Sequence, residues 1–185
     1  MVPFARSRER YDSVQITLHW LTALLIIAAV CLIWSVQLTP KGDLHNTLFF
    51  LHRSCGITVF GLVLLRLVWR ALHDTPPPPA DIPAWQQHAA TATHWLLYGL
   101  FILMPVTGFI DGAADNHAVS FFFLFDLPLL PENKPLAHLA GEIHVTLQWA
   151  VYGLVLLHAA AALRHHFVLR DNILRRMLPG GRAPS

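Results

Sequence analysis

The sequence predicts an all-α integral membrane protein, a bundle of four helices that each cross a lipid bilayer. Of its 185 residues, 55% are hydrophobic and only 13% are charged, whereas about a quarter of the residues of a soluble domain are charged. Four apolar segments also reach the roughly 20 residues that are needed to cross a hydrocarbon core. Both observations indicate that lipid surrounds most of the chain.

The four helices are predicted at residues 15–38, 48–69, 92–113 and 139–164, within a single domain of residues 1–185. The first follows a basic stretch, but its apolar run is longer than that of a signal peptide and no A-x-A-like cleavage site follows it, so we expect this helix to be retained. The proline and glycine of residues 39–43 predict its end.

The segments between the helices also have distinctive compositions. The four prolines of residues 76–79 predict a stiff, extended connector after the second helix. Residues 120–125 are too apolar for a free loop and too few to span a bilayer, so we expect them to lie in the membrane interface or to cap the bundle. The basic tail after Arg164 is expected to lie against anionic headgroups.

The distribution of basic residues predicts the orientation, because cytoplasmic loops are enriched in lysine and arginine. If both termini are cytoplasmic, only Lys41, Arg53 and Lys134 lie elsewhere. The other ten of the thirteen basic residues are then on the inner side: Arg6, Arg8, Arg10, Arg66, Arg70, Arg164, Arg170, Arg175, Arg176 and Arg182. The sequence therefore predicts a multi-pass membrane protein with both termini in the cytoplasm.

Twelve histidines are the most informative feature of so apolar a chain, because an ionisable residue inside a membrane usually has a function. Several lie in predicted loops or at helix edges, where we expect interfacial or solvated roles: His45, His73, His88, His117 and His138. Four others lie deeper in the predicted helices: His19, His52, His144 and His158.

Helical geometry pairs these four histidines by depth. His144 and His158 are 14 residues apart, so they lie on one face of the fourth helix, separated by about 21 Å along its axis. His52 lies near the outer end of the second helix, and His19 lies near the inner end of the first. Depth therefore pairs His52 with His144, and His19 with His158.

Two imidazoles on facing helices at one depth are what a six-coordinate haem iron requires. The sequence thus predicts two haem groups between the helices, and the absence of a C-x-x-C-H motif predicts haem b that is not covalently attached. Three alternatives remain. The histidines could form hydrogen bonds between helices, bind zinc, which prefers four ligands at one centre, or line a metal transporter.

Three stretches carry a family resemblance: residues 15–20 (QITLHW), residues 51–56 (LHRSCG) and residues 153–166 (GLVLLHAAAALRHH). With these motifs the chain resembles the prokaryotic cytochrome b561 family, and within it the members that act as superoxide oxidases. The resemblance implies that the four deep histidines are the axial haem ligands. It also implies a ubiquinone site flanked by His94 and His165, with His166 as the neighbour that could replace His165.

The resemblance further implies an enzyme of the bacterial inner membrane that takes electrons from superoxide at the periplasmic face and reduces ubiquinone. Arg53, adjacent to His52, is the best candidate to attract superoxide, with Lys41 and Lys134 as contributors from the loops; Arg53 could instead pair with a haem propionate. The alternative is a non-catalytic cytochrome b subunit that anchors a hydrogenase or dehydrogenase, with that redox protein as its partner. Lipid is a partner in either case, and no nucleic acid is expected.

Overall fold

The computed structural model describes residues 10–78 and 82–180, and most of them lie in four long helices. Helix α1 spans Ser13–Leu38, α2 spans Asp43–Leu72, α3 spans Ala84–Ala114 and α4 spans Lys134–Arg164. All four are long and apolar enough to cross a membrane. The predicted four-helix membrane bundle is confirmed. Arg6, Arg8 and Arg182 lie outside the described residues.

The first helix has nearly the predicted bounds, whereas the other three begin earlier than predicted. The added first turns of α2, α3 and α4 are polar, so they are helical without being apolar enough to lie in hydrocarbon. Local hydrogen bonds define two of the starts. Asp12 and Gln15 form a reciprocal cap at α1, and the Asn133 side chain accepts a hydrogen bond from the Leu136 backbone N–H at α4.

The helices pack as two antiparallel hairpins, α1 with α2 and α3 with α4, which meet mainly along α2 and α3. A small central core lies where they meet: Val59, Val63, Leu97, Leu100, Phe101 and Val151. Many large apolar side chains remain exposed along the helices, for example Leu24 and Leu156. In a bundle of this kind those side chains face lipid, which is as apolar as the side chains themselves.

We call the two ends of the bundle the His52 end, which carries residues 39–42 and 115–133, and the His19 end, which carries residues 73–83 and the C-terminal tail. At the His52 end, strands β1 (Val119–Phe121) and β2 (Phe125–Leu127) form a hairpin. Buried Ser54 on α2 accepts a hydrogen bond from the Phe122 N–H and donates one to the Ser120 carbonyl. The hairpin therefore caps the bundle at Val119, while its aromatic tip stays exposed.

At the His19 end the chain folds back on the bundle after α4. A π-helix at His165–Leu169 ends at Arg170, and a 3₁₀ turn follows at Arg175–Met177. Among the described residues, hydrogen bonds attach this tail to the rest of the protein from the Trp20 indole to the Met177 carbonyl, from Arg176 to the Pro77 carbonyl, and from Arg10 to the Leu178 carbonyl. We call residues 165–178 the C-terminal clasp.

Candidate functional site

The helices bring His52 and His144 face to face. Their ring centroids are 6.3 Å apart and their planes are nearly perpendicular, at 86°. Nδ1 of His52 lies 2.9 Å from the Ala29 carbonyl oxygen, and Nδ1 of His144 lies 2.8 Å from the Met104 carbonyl oxygen. Because a carbonyl only accepts, each Nδ1 carries the proton and each Nε2 keeps a free lone pair.

A cavity of about 480 Å³ surrounds this pair between the helices, and its wall is mostly apolar. Two glycines shape the cavity. A Cβ added at Gly56 would meet no atom within 4 Å, so a flat group could approach the backbone there. A Cβ at Gly108 would lie only 3.0 Å from Cε1 of His144, so the absence of a side chain leaves room for that ring. Cofactor sites usually measure about 300–1,000 Å³.

His19 and His158 face each other nearer the other end, with ring centroids 6.2 Å apart and planes at 58°. Nη2 of Arg66 lies 3.2 Å from Nδ1 of His19. Because a guanidinium only donates, Nδ1 of His19 is the acceptor in this arrangement, and a neutral His19 carries its proton on Nε2. The Arg66 guanidinium also lies 5.4 Å from the centre of the Tyr98 ring.

His94 on α3 joins this second pair. Its ring centroid is 5.3 Å from that of His158, and Arg66 and Arg70 both act on it electrostatically. Tyr11, just before α1, is a neighbour of Arg70, and burial raises the pKa of its phenol. The His19 end therefore gathers histidine, tyrosine and arginine side chains that can exchange or orient protons.

His165 lies in the π-helix that follows α4, and its Nδ1 is hydrogen-bonded to the Asp171 carboxylate. His166 has different surroundings. Its ring contacts Phe167 edge-on, with centroids 4.7 Å apart, and its buried Nδ1 has no hydrogen-bond partner among the described residues. Of the two neighbours, His165 is the one with a fixed carboxylate partner.

Arg53 lies between two cavities at the His52 end. It lines the cavity around His52 and also an outer cavity of about 450 Å³. Its guanidinium stacks on the Phe49 ring at 4.4 Å and is attracted by the Asp111 carboxylate. The outer cavity also contains Asp115, so carboxylates partly offset the positive charge of Arg53.

The remaining polar candidates have local surroundings. The two loop lysines, Lys41 and Lys134, are exposed. Most of the loop and edge histidines contact a residue nearby in the chain: His45 the Thr39 carbonyl, His73 the Trp69 ring, His117 the Asp115 carboxylate and His138 the Glu142 carboxylate. These contacts fit the interfacial and solvated roles that were predicted for them.

The geometry of the two imidazole pairs fits a haem iron. Metal–nitrogen bonds of about 2 Å on opposite faces of one metal place two imidazole centroids about 6 Å apart. Both pairs have this spacing. At the His52 end both imidazoles are also in the tautomer that leaves the Nε2 lone pair free to bind a metal. At the His19 end, ligation through Nε2 requires the proton of His19 to leave that atom. In residues 10–78 and 82–180 no three histidine, cysteine or acidic side chains are grouped as a metal site.

Sequence reasoning missed Arg66, Asp111 and Asp171 as site residues. For Arg66 a signal was present, because it follows His52 by 14 residues and therefore shares a face of α2 with it. Asp111 and Asp171 reach their partners through contacts between helices or around a turn, and such contacts leave no spacing rule in the sequence.

A membrane bundle with facing imidazole pairs is typical of haem-binding membrane cytochromes, and comparison with known proteins agrees. The family model described as prokaryotic cytochrome b561 matches residues 10–180. Cytochrome b561 homolog 2 of Escherichia coli (strain K12) is 33% identical over 180 residues, which cover 95% of this chain and 94% of that protein. The probable superoxide oxidase CybB of Yersinia pestis is 32% identical over 174 residues, covering 92% and 97%.

The chain therefore belongs to the prokaryotic cytochrome b561 family. It is a bacterial membrane protein of electron transfer that binds b-type haem, as the resemblance of its motifs implied.

Proposed function

We propose that the chain holds two haem b groups and passes electrons from superoxide, at the His52 end, to ubiquinone at the His19 end. One haem is held by His52 and His144, and the other by His19 and His158. The observation that carries this proposal is the equal spacing of the two imidazole pairs, 6.3 and 6.2 Å between ring centroids. The two histidine pairs would hold the haem groups, which would supply one-electron redox chemistry.

Superoxide is the proposed donor because Arg53 connects an open outer cavity with the cavity around His52. An anion is drawn towards a guanidinium, and this attraction raises the association rate at low ionic strength. The similarity to the probable superoxide oxidase CybB of Yersinia pestis supports the same donor. Asp111 and Asp115 weaken the attraction, so Asp111→Asn should make the reaction with superoxide faster and Arg53→Gln should make it slower.

Ubiquinone is the proposed acceptor, bound between His94 and His165. His94 lies against His158, so a quinone beside it is close to the source of electrons. Reduction of a quinone requires a proton donor at each carbonyl oxygen, and histidine suits that task near neutral pH. The basic residues at the His19 end support an orientation in which this end and both termini lie on the cytoplasmic side of the inner membrane.

Stopped-flow mixing of the purified protein with superoxide and ubiquinone-1 tests this function. Haem absorbance should show rapid reduction by superoxide, followed by reoxidation when the quinone is present, and Arg53→Gln should slow only the first phase. A neutral hydroquinone as reductant is the matched control, since its rate should not depend on Arg53. If superoxide only dismutes at its spontaneous rate while the haems stay oxidised, superoxide is not the donor.

The second function is that of an electron-transfer subunit for a hydrogenase or dehydrogenase. It is favoured by the apolar hairpin tip at the His52 end, where Phe123 is 76% exposed and Leu124 is 74% exposed beside an outer cavity with two carboxylates. A redox protein docked there could deliver electrons to the same haem. Copurification of the chain with such a protein from its native membrane, with no reaction towards superoxide, supports this function.

A further inference from the structure

Three histidines in the described part of the chain contact a carboxylate, and one of these pairs differs from the others. The side chains of His117 and Asp115 are 66% and 42% exposed, and those of His138 and Glu142 are 75% and 65% exposed. In contrast, His165 and Asp171 are only 14% and 18% exposed. Partial withdrawal from water strengthens an interaction of this kind and fixes its geometry.

The backbone fixes Asp171 independently of its contact with His165. Arg170 adopts a left-handed conformation, with φ of +56°, and turns the chain back on itself. The Asp171 N–H then donates to the His165 carbonyl at 3.2 Å, and Oδ1 of Asp171 accepts from the Ile173 N–H at 3.0 Å. The second oxygen, Oδ2, is thereby directed at Nδ1 of His165.

Hydrogen bonds between the rest of the clasp and the neighbouring parts of the protein hold this turn in place. The Trp20 indole N–H donates to the Met177 carbonyl at 2.7 Å, and Arg176 donates to the Pro77 carbonyl at 2.7 Å. Both contacts lie within seven residues of Asp171. The π-helix is rare and is frequently found at functional sites, and here the π-helical turn begins at His165 itself.

His165 shares a helix face with His158. The two are seven residues apart, nearly two full turns, so His165 lies below His158 on the side that faces the bundle, whereas His166 is rotated by about 100°. Because Asp171 engages Nδ1, the Nε2 atom of His165 is the one left for a ligand.

We propose that Asp171 is a positioning residue that makes His165 the proton donor to the quinone, an inference that rests on the proposed function. Asp171 holds one proton on Nδ1, so the proton that His165 passes on is carried at Nε2 of the doubly protonated ring. When the quinone has taken up electrons, the Nε2–H bond of His165 breaks and an O–H bond forms at one carbonyl oxygen. The neutral imidazole keeps its Nδ1–H and regains a proton at Nε2 from water. A second proton reaches the other oxygen beside His94, so two electrons and two protons give the quinol.

The experiment follows the reoxidation of chemically reduced protein by ubiquinone-1. It compares wild type with Asp171→Asn, Asp171→Glu, His166→Asn and Glu142→Gln. Asp171→Asn should retain its haem content and its KM for quinone, while kcat falls by about tenfold or more, because general acid catalysis contributes about 10²–10⁴-fold. Asp171→Glu should restore much of the rate. His166→Asn and Glu142→Gln, which removes the carboxylate from an exposed histidine pair, should behave as wild type.

A second readout does not depend on turnover or on any variant. In ¹⁵N-labelled wild-type protein, the NMR shifts of the His165 ring should show Nδ1 protonated. A neutral His165 with its proton on Nε2 would overturn the proposal, as would an unchanged kcat in Asp171→Asn or a large loss of kcat in His166→Asn. If wild-type protein is not reoxidised by ubiquinone at all, the proposed function fails and this proposal fails with it. Failure of the proposal alone leaves wild-type turnover intact.

Discussion

The two histidine pairs have the same spacing but different surroundings. At the His52 end, both imidazoles donate to backbone carbonyls. Arg53 acts on His52 there, but the Asp111 carboxylate acts on Arg53 and on His144 and partly offsets that positive charge. At the His19 end, arginines act on the facing pair and on His94: Arg66 contacts His19 and acts on His158 and His94, and Arg70 acts on His94. Main-chain carbonyls orient the imidazoles at the His52 end, whereas arginine side chains surround the histidines of the other pair.

This difference predicts a direction for electron flow. Reduction of a haem iron adds one negative charge, and nearby arginines stabilise that charge, whereas a carboxylate opposes it. The haem at the His19 end should therefore have the higher reduction potential, and electrons should collect beside the proposed quinone site. The Nδ1–H bonds that His52 and His144 donate would make these proposed ligands more basic. More basic ligands would favour the oxidised iron there, which acts in the same direction.

The largest predicted effect comes from removing one ligand. His144→Ala should lose the haem at the His52 end and keep the other, so the ratio of haem to protein should fall by about half. His138→Ala, which removes an exposed histidine from the same helix, is the matched control and should retain full haem content. Loss of both haems in His144→Ala, with the helical content intact, would mean that the two ends are not independent sites.

Removing the positive charge of Arg66 at the His19 end should have the next largest effect. Arg66→Gln should lower the potential of the haem at that end by roughly 60 mV, the equivalent of about 1.4 kcal/mol for one electron, while Arg66→Lys should keep most of it. The control variant Arg164→Gln removes an exposed arginine of α4, also at the His19 end of the bundle. It should leave the reduction potentials of both haems unchanged. A shift at the His52 end instead would break the assignment of Arg66 to His19.

A smaller change tests how tightly the His52 end is built. In Gly108→Ala the new Cβ would lie 3.0 Å from Cε1 of His144, so the ring must move away, at a cost of about 1–3 kcal/mol. Haem at that end should bind more weakly and dissociate first during thermal unfolding. Gly61→Ala is the matched control, since a Cβ there meets nothing within 4 Å.

The smallest effect concerns the cap of α1, at the His19 end. Burial acts to raise the pKa of Asp12, but hydrogen bonds from the Gln15 N–H and the Trp69 indole outweigh it and hold the pKa below its usual value. Asp12→Ala should destabilise the protein by about 1 kcal/mol. Because the pKa is lowered in the folded state, the stabilisation by charge is present above about pH 4 and is lost as the pH falls through the native pKa.

Thermal melting followed by circular dichroism at neutral and acidic pH measures this effect. Asp12→Asn keeps the capping oxygen, so at neutral pH it should lose less stability than Asp12→Ala does. Between wild type and Asp12→Asn, the difference in melting temperature should shrink at acidic pH. A difference that grows on acidification would contradict the sign of the pKa shift.

The sequence predicted the fold and the pairing of the four deep histidines, because the length of apolar runs and the spacing along a helix determine both. Apolar runs predicted the four helices, and 14-residue spacing placed His144 and His158 on one face of α4. The first turns of three helices were missed because they are helical but polar. Arg66, Asp111 and Asp171 were missed because their roles arise from contacts between helices or around the clasp, which no spacing within one segment encodes. The hairpin over Ser54 was likewise expected only as an apolar cap or interface segment.

A potentiometric titration of the haem absorbance, in wild type and in His144→Ala, tests the central claim most directly. Wild-type protein should titrate in two one-electron steps, and His144→Ala should lose the step of lower potential while keeping the higher one. A single step in wild type would contradict the two sites. Loss of the higher-potential step in His144→Ala would contradict the predicted direction of electron flow towards the His19 end.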